Sequence, residues 1–395
     1  MAITLIEPAR LSFAGNPIIF KAKTSKSLAE GESFLRIVCT ATFTLNGSPA
    51  GYDGITSFKI ELSQPVENGG TAVFNLADAS QTLLCKVQTS IDMNSGDGLA
   101  AYSVMMNTEF KEVFIFDNYE HSGKTEYGKL VYVVPGAFTD YELLTKSNTL
   151  LSSITANGKA MTRKPDGGIV YKGETLIVPM LYGYQDNDDT VVSASVSGTA
   201  KIGETVIGSG SCVMENLTLD YLPVPMNGSV EGKFSLTGSL SDSFNGKKYS
   251  LSLLSGHYRT NTQGVQFLRF INGFGAVENI AVRSKDKLSY EVSGDTHSLV
   301  QGIETRPTDR RYATKTQPVG VYELSSGYVP QKWAEWFVQE LLTSPRVWIL
   351  LGGKWVPALI EAEDDCVIYD RTKPEMPHVD FTLRLAIDGV TGVSW

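Results

Sequence analysis

The sequence predicts a mainly β protein: tandem β-sandwich domains of immunoglobulin-like or fibronectin-like class, then a C-terminal β-sandwich or barrel with one packed α-helix. Three observations predict it. Short β-branched and aromatic runs recur along the chain, bounded by Gly, Asn, Asp and Ser. Glycine is abundant, 37 of 395 residues, which suits many tight turns. One segment, 330–342, carries a strong helical stripe and precedes a tight hairpin at 347–360 with Gly352-Gly353 at its tip.

The length implies two or three domains. A first sandwich is expected over 1–115, with strands at 17–24, 33–45, 55–62, 71–75, 82–91 and 100–106. Asn46-Gly47 and Asn68-Gly69-Gly70 are turn signals, because Asn and Gly accept positive φ. The disulfide and strand-C tryptophan of antibody domains are missing from this pattern. A second β-rich domain is expected over 116–225, with strands at 130–134, 168–171, 175–181, 190–197, 200–202, 211–217 and 219–222. Residues 140–151 read equally as a short helix or an extended loop. Paired prolines and Asn227-Gly228 mark a boundary. The third domain, 226–395, is expected to hold strands at 233–236, 248–254, 265–271, 277–282, 288–292, 312–322, 366–369 and 378–386, with the helix at 330–343.

In that helix Pro330 occupies the first turn, where a missing N–H costs nothing. Trp333, Trp336, Phe337, Glu340 and Leu341 fall at i, i+3, i+4, i+7 and i+8, so Glu340 is the one polar residue on an apolar stripe. Ser344-Pro345 ends it. The stripe is expected in the core.

A formal net charge of −9, with scattered Lys and Arg, argues against nucleic-acid binding as the main role. An apolar fraction of 42% is that of a folded chain. The N-terminus lacks the charged and apolar regions of a signal peptide, and no run is long enough for a membrane span, so a cytosolic, soluble chain is expected. Cys39, Cys85, Cys212 and Cys366 form no pair motif and are expected as buried free thiols.

No catalytic set stands out, no cofactor or metal is expected, and the chain is not expected to be an enzyme. His121, His257, His297 and His378 lie in four separate contexts without metal-ligand spacing. Asp186-Asn187-Asp188-Asp189 and the stretch 92–98 resemble calcium loops but lack the closing Glu. Gly273-Phe274-Gly275 has strands on both sides, so it reads as a turn that lets Phe274 pack, not a dinucleotide site. The acidic tip 361–365 reads as soluble surface. Turn-borne tyrosines (Tyr52, Tyr119, Tyr182, Tyr184, Tyr221, Tyr258, Tyr328) divide between core and interface.

Three strings carry a family resemblance: Leu11-Ser12-Phe13-Ala14-Gly15-Asn16-Pro17-Ile18-Ile19-Phe20; Val133-Val134-Pro135-Gly136-Ala137-Phe138-Thr139-Asp140-Tyr141-Glu142 with Thr162-Arg163-Lys164-Pro165; and Leu268-Arg269-Phe270-Ile271-Asn272-Gly273-Phe274-Gly275-Ala276-Val277-Glu278-Asn279. In that order they resemble structural proteins of tailed bacteriophages and prophages of Bacteroides-like bacteria. The C-terminal order of strands, helix, hairpin and last strand also resembles the tail-tube and distal-tail fold. The resemblance implies a virion component at the tail tip or baseplate, assembled in the host cytoplasm. It implies a homo-oligomeric ring that contacts other tail proteins, with DNA passing through an acidic lumen without specific binding and with no membrane insertion. The other readings are a receptor- or carbohydrate-binding β-sandwich protein and, further off, an enzyme on a β scaffold.

Overall fold

The computed structural model describes residues 3–47, 52–90, 93–94, 99, 102–139, 142, 159–182, 193–215, 217–242, 248–298, 311–361 and 377–386. The chain is mainly β, with sandwich units in tandem, a closed barrel and a helix packed on it. The N-terminal unit holds β1 (Thr4–Ile6), β2 (Leu11–Phe13), β3 (Ile19–Lys23), β4 (Glu32–Asn46), β5 (Ser57–Pro65), β6 (Thr71–Asn75), α1 (Ala77–Ser90), β7 (Ser103–Phe116), β8 (Tyr119–Tyr127) and β9 (Val131–Val134). Its two sheets run β1-β3-β6 and β2-β9-β7-β4-β5, with β8 added to β7. Alternating buried and exposed residues in β3 and β6 put Phe20, Ala22, Ala72 and Phe74 between the sheets.

The middle unit holds β10 (Lys159–Ala160), β11 (Gly168–Tyr171), β12 (Thr175–Leu181), β13 (Ser193–Ile202), β14 (Thr205–Glu215), β15 (Leu219–Pro225), β16 (Gly232–Asp242) and β17 (Lys248–Arg259). Its sheets run β10-β12-β15 and β11-β17-β16-β13-β14, and the β11–β17 pair is parallel. The C-terminal unit is a closed barrel in the order β18 (Val265–Ile271), β19 (Val277–Ser298), β20 (Arg311–Ser325), β23 (Asp380–Leu385), β22 (Lys354–Glu361) and β21 (Val347–Leu351).

Strand pairing divides the chain at other places than the sequence predicts. Position 115 falls inside β7, one residue before the end of a strand that β8 pairs with through an Asp117-Asn118 turn. The first unit therefore continues to β9. Position 225 ends β15, yet β16 and β17 complete the sheet of β13, so the middle unit continues to Arg259. Punctuation by Pro and Asn-Gly marks a turn wherever it occurs; only cross-strand pairing says whether the next strand changes sheet.

Residues 82–91, predicted as a strand, belong largely to α1, so the chain has a second helix. The Asn75 side chain accepts the Ala77 N–H, and Leu76, Ser80, Leu83, Leu84 and Val87 are buried at helical spacing. The predicted helix at 330–343 is present in two forms: α2 (Gln331–Trp336) is α-helical and Phe337–Leu342 continues it as a π-helix. A π segment widens the turn and is found mainly where an α-helix carries a local functional or packing demand. Trp333, Trp336, Phe337 and Leu341 are buried in the barrel core, as the stripe predicts.

Candidate functional site

The three strings that carry the resemblance meet at one joint between the units. Asn16 Nδ2 donates to Phe138 O at 3.0 Å, and its Oδ1 accepts the Phe138 N–H at 2.8 Å. Phe13, Phe138 and Phe274 pack ring against ring, with Phe13 and Phe138 centroids 4.6 Å apart. Gly136 has φ +89°, and a Cβ there would overlap the Phe274 backbone. Asn272 Oδ1 accepts the N–H groups of both Phe274 and Ala276, which closes the Gly273-Phe274-Gly275 turn. The turn therefore packs Phe274, as predicted.

Arg163 locks this joint to the helix. Its Nη1 donates to Glu340 Oε1 at 2.7 Å, and its Nε and Nη2 donate to the two Glu142 oxygens at 3.2 and 2.7 Å. Nη2 also donates to Ala137 O, and the guanidinium lies 4.0 Å over the Phe274 ring. Glu340 is 4% exposed and its second oxygen accepts the Gly273 N–H. Burial opposes the charge on Glu142, but Arg163 and the Thr139 N–H outweigh it and hold that carboxyl below its ordinary value. Burial also works against the charge on Arg163, and the two carboxylates overcome it and raise its pKa. Arg163 and Glu340 each bond to partners from separate stretches of the chain, so the cluster ties the units together as a joint.

Next to it lies a small cavity of about 190 Å³ lined by Glu174, Arg269, Asn279 and Trp355 among others. Glu174 accepts the Tyr171 N–H at 3.1 Å and lies 3.3 Å from Asn279 Nδ2. Burial pushes its pKa up to about 7, against the pull of Lys164 and the Tyr171 N–H. Arg269 stacks 4.2 Å over Trp355, and burial lowers its pKa to about 10.

A larger cleft of about 590 Å³ opens between the middle unit and the barrel. Ile169, Tyr171, His257 and Arg259 line one side; Arg283, Tyr328, Trp333 and Phe337 line the other. Trp333 reaches across to donate its indole N–H to Asp166 O at 3.1 Å, and a Cβ on Gly168 would overlap its ring. Glycine at 168 is thus what lets the β11 backbone lie on the tryptophan.

Of the four histidines, His257 lines this cleft, His378 packs edge-on against Tyr328 at 5.6 Å, and His121 stacks on Phe114 far away in the chain. His297 lies in β19. Tyr182, Tyr221 and Tyr258 are buried, whereas Tyr119 and Tyr328 are exposed and Tyr52 is half-buried. Cys39 is buried, and burial raises its pKa to about 12; Cys212 is half-buried, and Cys85, contrary to expectation, is exposed on α1. Helical geometry turns Cys85 away from the face that buries Leu83, Leu84 and Val87. Residues 186–189, Tyr184, Cys366, most of 92–98 and most of 361–365 lie outside the described residues. Among the described residues no group of three or more His, Cys, Asp and Glu could hold a metal, and no helix is long and apolar enough to cross a membrane.

Sequence reasoning missed the cleft because its residues come from five separate elements. No protein-family profile and no curated protein matches the sequence. Among solved structures, the chain is similar to a Salmonella alpha-2-macroglobulin at 8% identity and a TM-score of 0.24, over 98% of this chain and 23% of that one. It is also similar to the C-terminal domain of the AgI/II polypeptide BspA of Streptococcus agalactiae at 8% identity and a TM-score of 0.17, over 64% of this chain and 95% of that one. The chain thus spans 23% of the Salmonella protein, and neither likeness at these scores bears on function.

Proposed function

We propose that the chain is a structural protein of a phage tail, at the tip or baseplate, that assembles with copies of itself into a ring and contacts neighbouring tail proteins. The observation that carries this reading is the β19–β20 ribbon. Strand β19 pairs with β18 only from Val277 to Arg283, and β20 pairs with β23 only from Val321 to Ser325. From Tyr290↔Gly320 to Ser298↔Arg311 the ladder has no third strand among the described residues. At about 3.3 Å per residue this two-stranded stretch runs roughly 30 Å. A lone two-stranded ribbon is marginal in water. A neighbouring subunit that covers it or adds a strand would order it, and head-to-tail repetition of that contact closes a ring.

The β8 edge supports the same reading. It pairs with β7 alone among the described strands, and its residues are exposed except for Glu126. Glu120 and Lys124 along it are the charges that keep such an edge unpaired until assembly. The test is negative-stain microscopy with size-exclusion chromatography of the full chain and of a variant in which residues 290–319 are replaced by a short turn. Closed rings from the full chain and monomers from the variant are the expected result. A full chain that stays monomeric at every concentration, or rings that survive removal of the ribbon, would overturn the reading. A second reading, recognition of a carbohydrate, is favoured by the cleft between the middle unit and the barrel.

A further inference from the structure

We infer that this cleft binds an acidic saccharide, a sugar chain carrying carboxylates. The inference builds on the second reading and does not depend on ring formation. Its volume, about 590 Å³, lies within the range of small-molecule sites. Its charge is the opposite of the protein's. The chain carries a formal charge of −9, yet among the described residues no Asp or Glu lines the cleft, whereas His257, Arg259 and Arg283 do.

The two arginines are available. Arg283 has no ion-pair partner among the described residues. Arg259 faces Glu231 Oε2 at 3.8 Å, a long ion pair exposed to solvent on both sides, and such pairs hold their partners weakly, so a ligand carboxylate can compete for the guanidinium. A guanidinium offers two parallel N–H donors that match a carboxylate, which a neutral sugar cannot use.

The aromatic part fits the ring of a sugar. Tyr328 is 68% exposed and stands T-shaped against His378 at 5.6 Å, so much of its ring is open to the C–H groups of a pyranose. The walls are rigid: His257 and Arg259 sit on β17, Arg283 is held in the barrel between β18 and β20, and Trp333 is fixed by its bond to Asp166. Arg259 and Arg283 are solvent-exposed, so their attraction is screened by salt.

Isothermal titration of the full chain with a tetramer of galacturonic acid tests this. Sub-millimolar binding that weakens as salt rises is expected, with no heat from the neutral tetramer of glucose. Arg283→Gln should weaken binding at least tenfold and Tyr328→Ala at least fivefold, each with an unchanged melting temperature and elution volume. Absence of uronate binding, or uronate binding unaffected by both substitutions, would overturn the inference. So would equal binding of inorganic phosphate alone, or tighter binding of a sulfated tetrasaccharide, since either would assign the cleft to another anion. Elution volume reports the ring separately, so failure of one reading is distinguishable from failure of the other.

Discussion

Arg163 and Glu340, 177 residues apart in the chain, meet at 2.7 Å, and the same guanidinium holds Glu142 at 2.7 Å through its other terminal nitrogen. This one side chain fastens the segment after the N-terminal sheets to the helix of the barrel. The pair explains why a charged residue interrupts an otherwise apolar helical stripe. It also coincides with the π turn, which contains Glu340.

Breaking that pair should be costly. Arg163→Ala leaves Glu340 buried with the Gly273 N–H as its remaining partner, and the expected loss is about 3–5 kcal/mol. Replacing both residues, Arg163→Met with Glu340→Leu, should cost clearly less than the two single changes added together. Urea denaturation of the four proteins in this cycle measures the coupling.

Trp336 fills the barrel core against Phe270 and Trp333, with ring centroids 5.7 and 5.2 Å away. Trp336→Ala should cost about 3–5 kcal/mol through the cavity it leaves. Trp336→Phe should cost less than half as much. The indole N–H has no hydrogen-bond partner among the described residues, so its removal relieves an unpaired donor. Melting temperatures of both variants decide; equal losses would mean that the N–H is satisfied.

Glu174 predicts a pH dependence. Its folded pKa of about 7 lies above the ordinary carboxylate value, so between the two the folded chain keeps a proton that the unfolded chain releases. Stability therefore falls as pH rises through that window, by roughly 3 kcal/mol in full for a shift of this size. Glu174→Gln should flatten this slope between pH 5 and 8. The readout is the denaturation midpoint against pH in the two proteins.

Phe34 has φ +54° at the bulge where β4 slips against β7, and its side chain is 77% exposed. A left-handed conformation costs a bulky residue about 1–2 kcal/mol, and Asn adopts it far more readily. Phe34→Asn should stabilise the monomer by roughly 0.5–1 kcal/mol. A rise in melting temperature checks it, and a simultaneous loss of rings would mark the exposed ring as an assembly contact.

Much of this was legible before folding. The Trp333–Leu341 stripe, the solitary Glu340 on it and the turn that buries Phe274 follow from local spacing, because helix and turn geometry repeat over a few residues. The α1 helix was not legible: 82–91 reads as a strand because Thr82, Val87 and Thr89 carry β propensity, although the structure caps the helix with Asn75 and buries 76, 80, 83, 84 and 87 at helical spacing. There helical burial overrode propensity.

The sequence by itself determined the β class, the strand and turn grammar, the helix that anchors the barrel and the residue that would need a buried partner. Tertiary structure alone decided who that partner is, where the units divide, and that His257, Arg259, Arg283 and Tyr328 share one cleft. Local patterns are read over one turn or one strand, whereas pairing between β13 and β16, or between Arg163 and Glu340, is settled by which distant surfaces can be buried together.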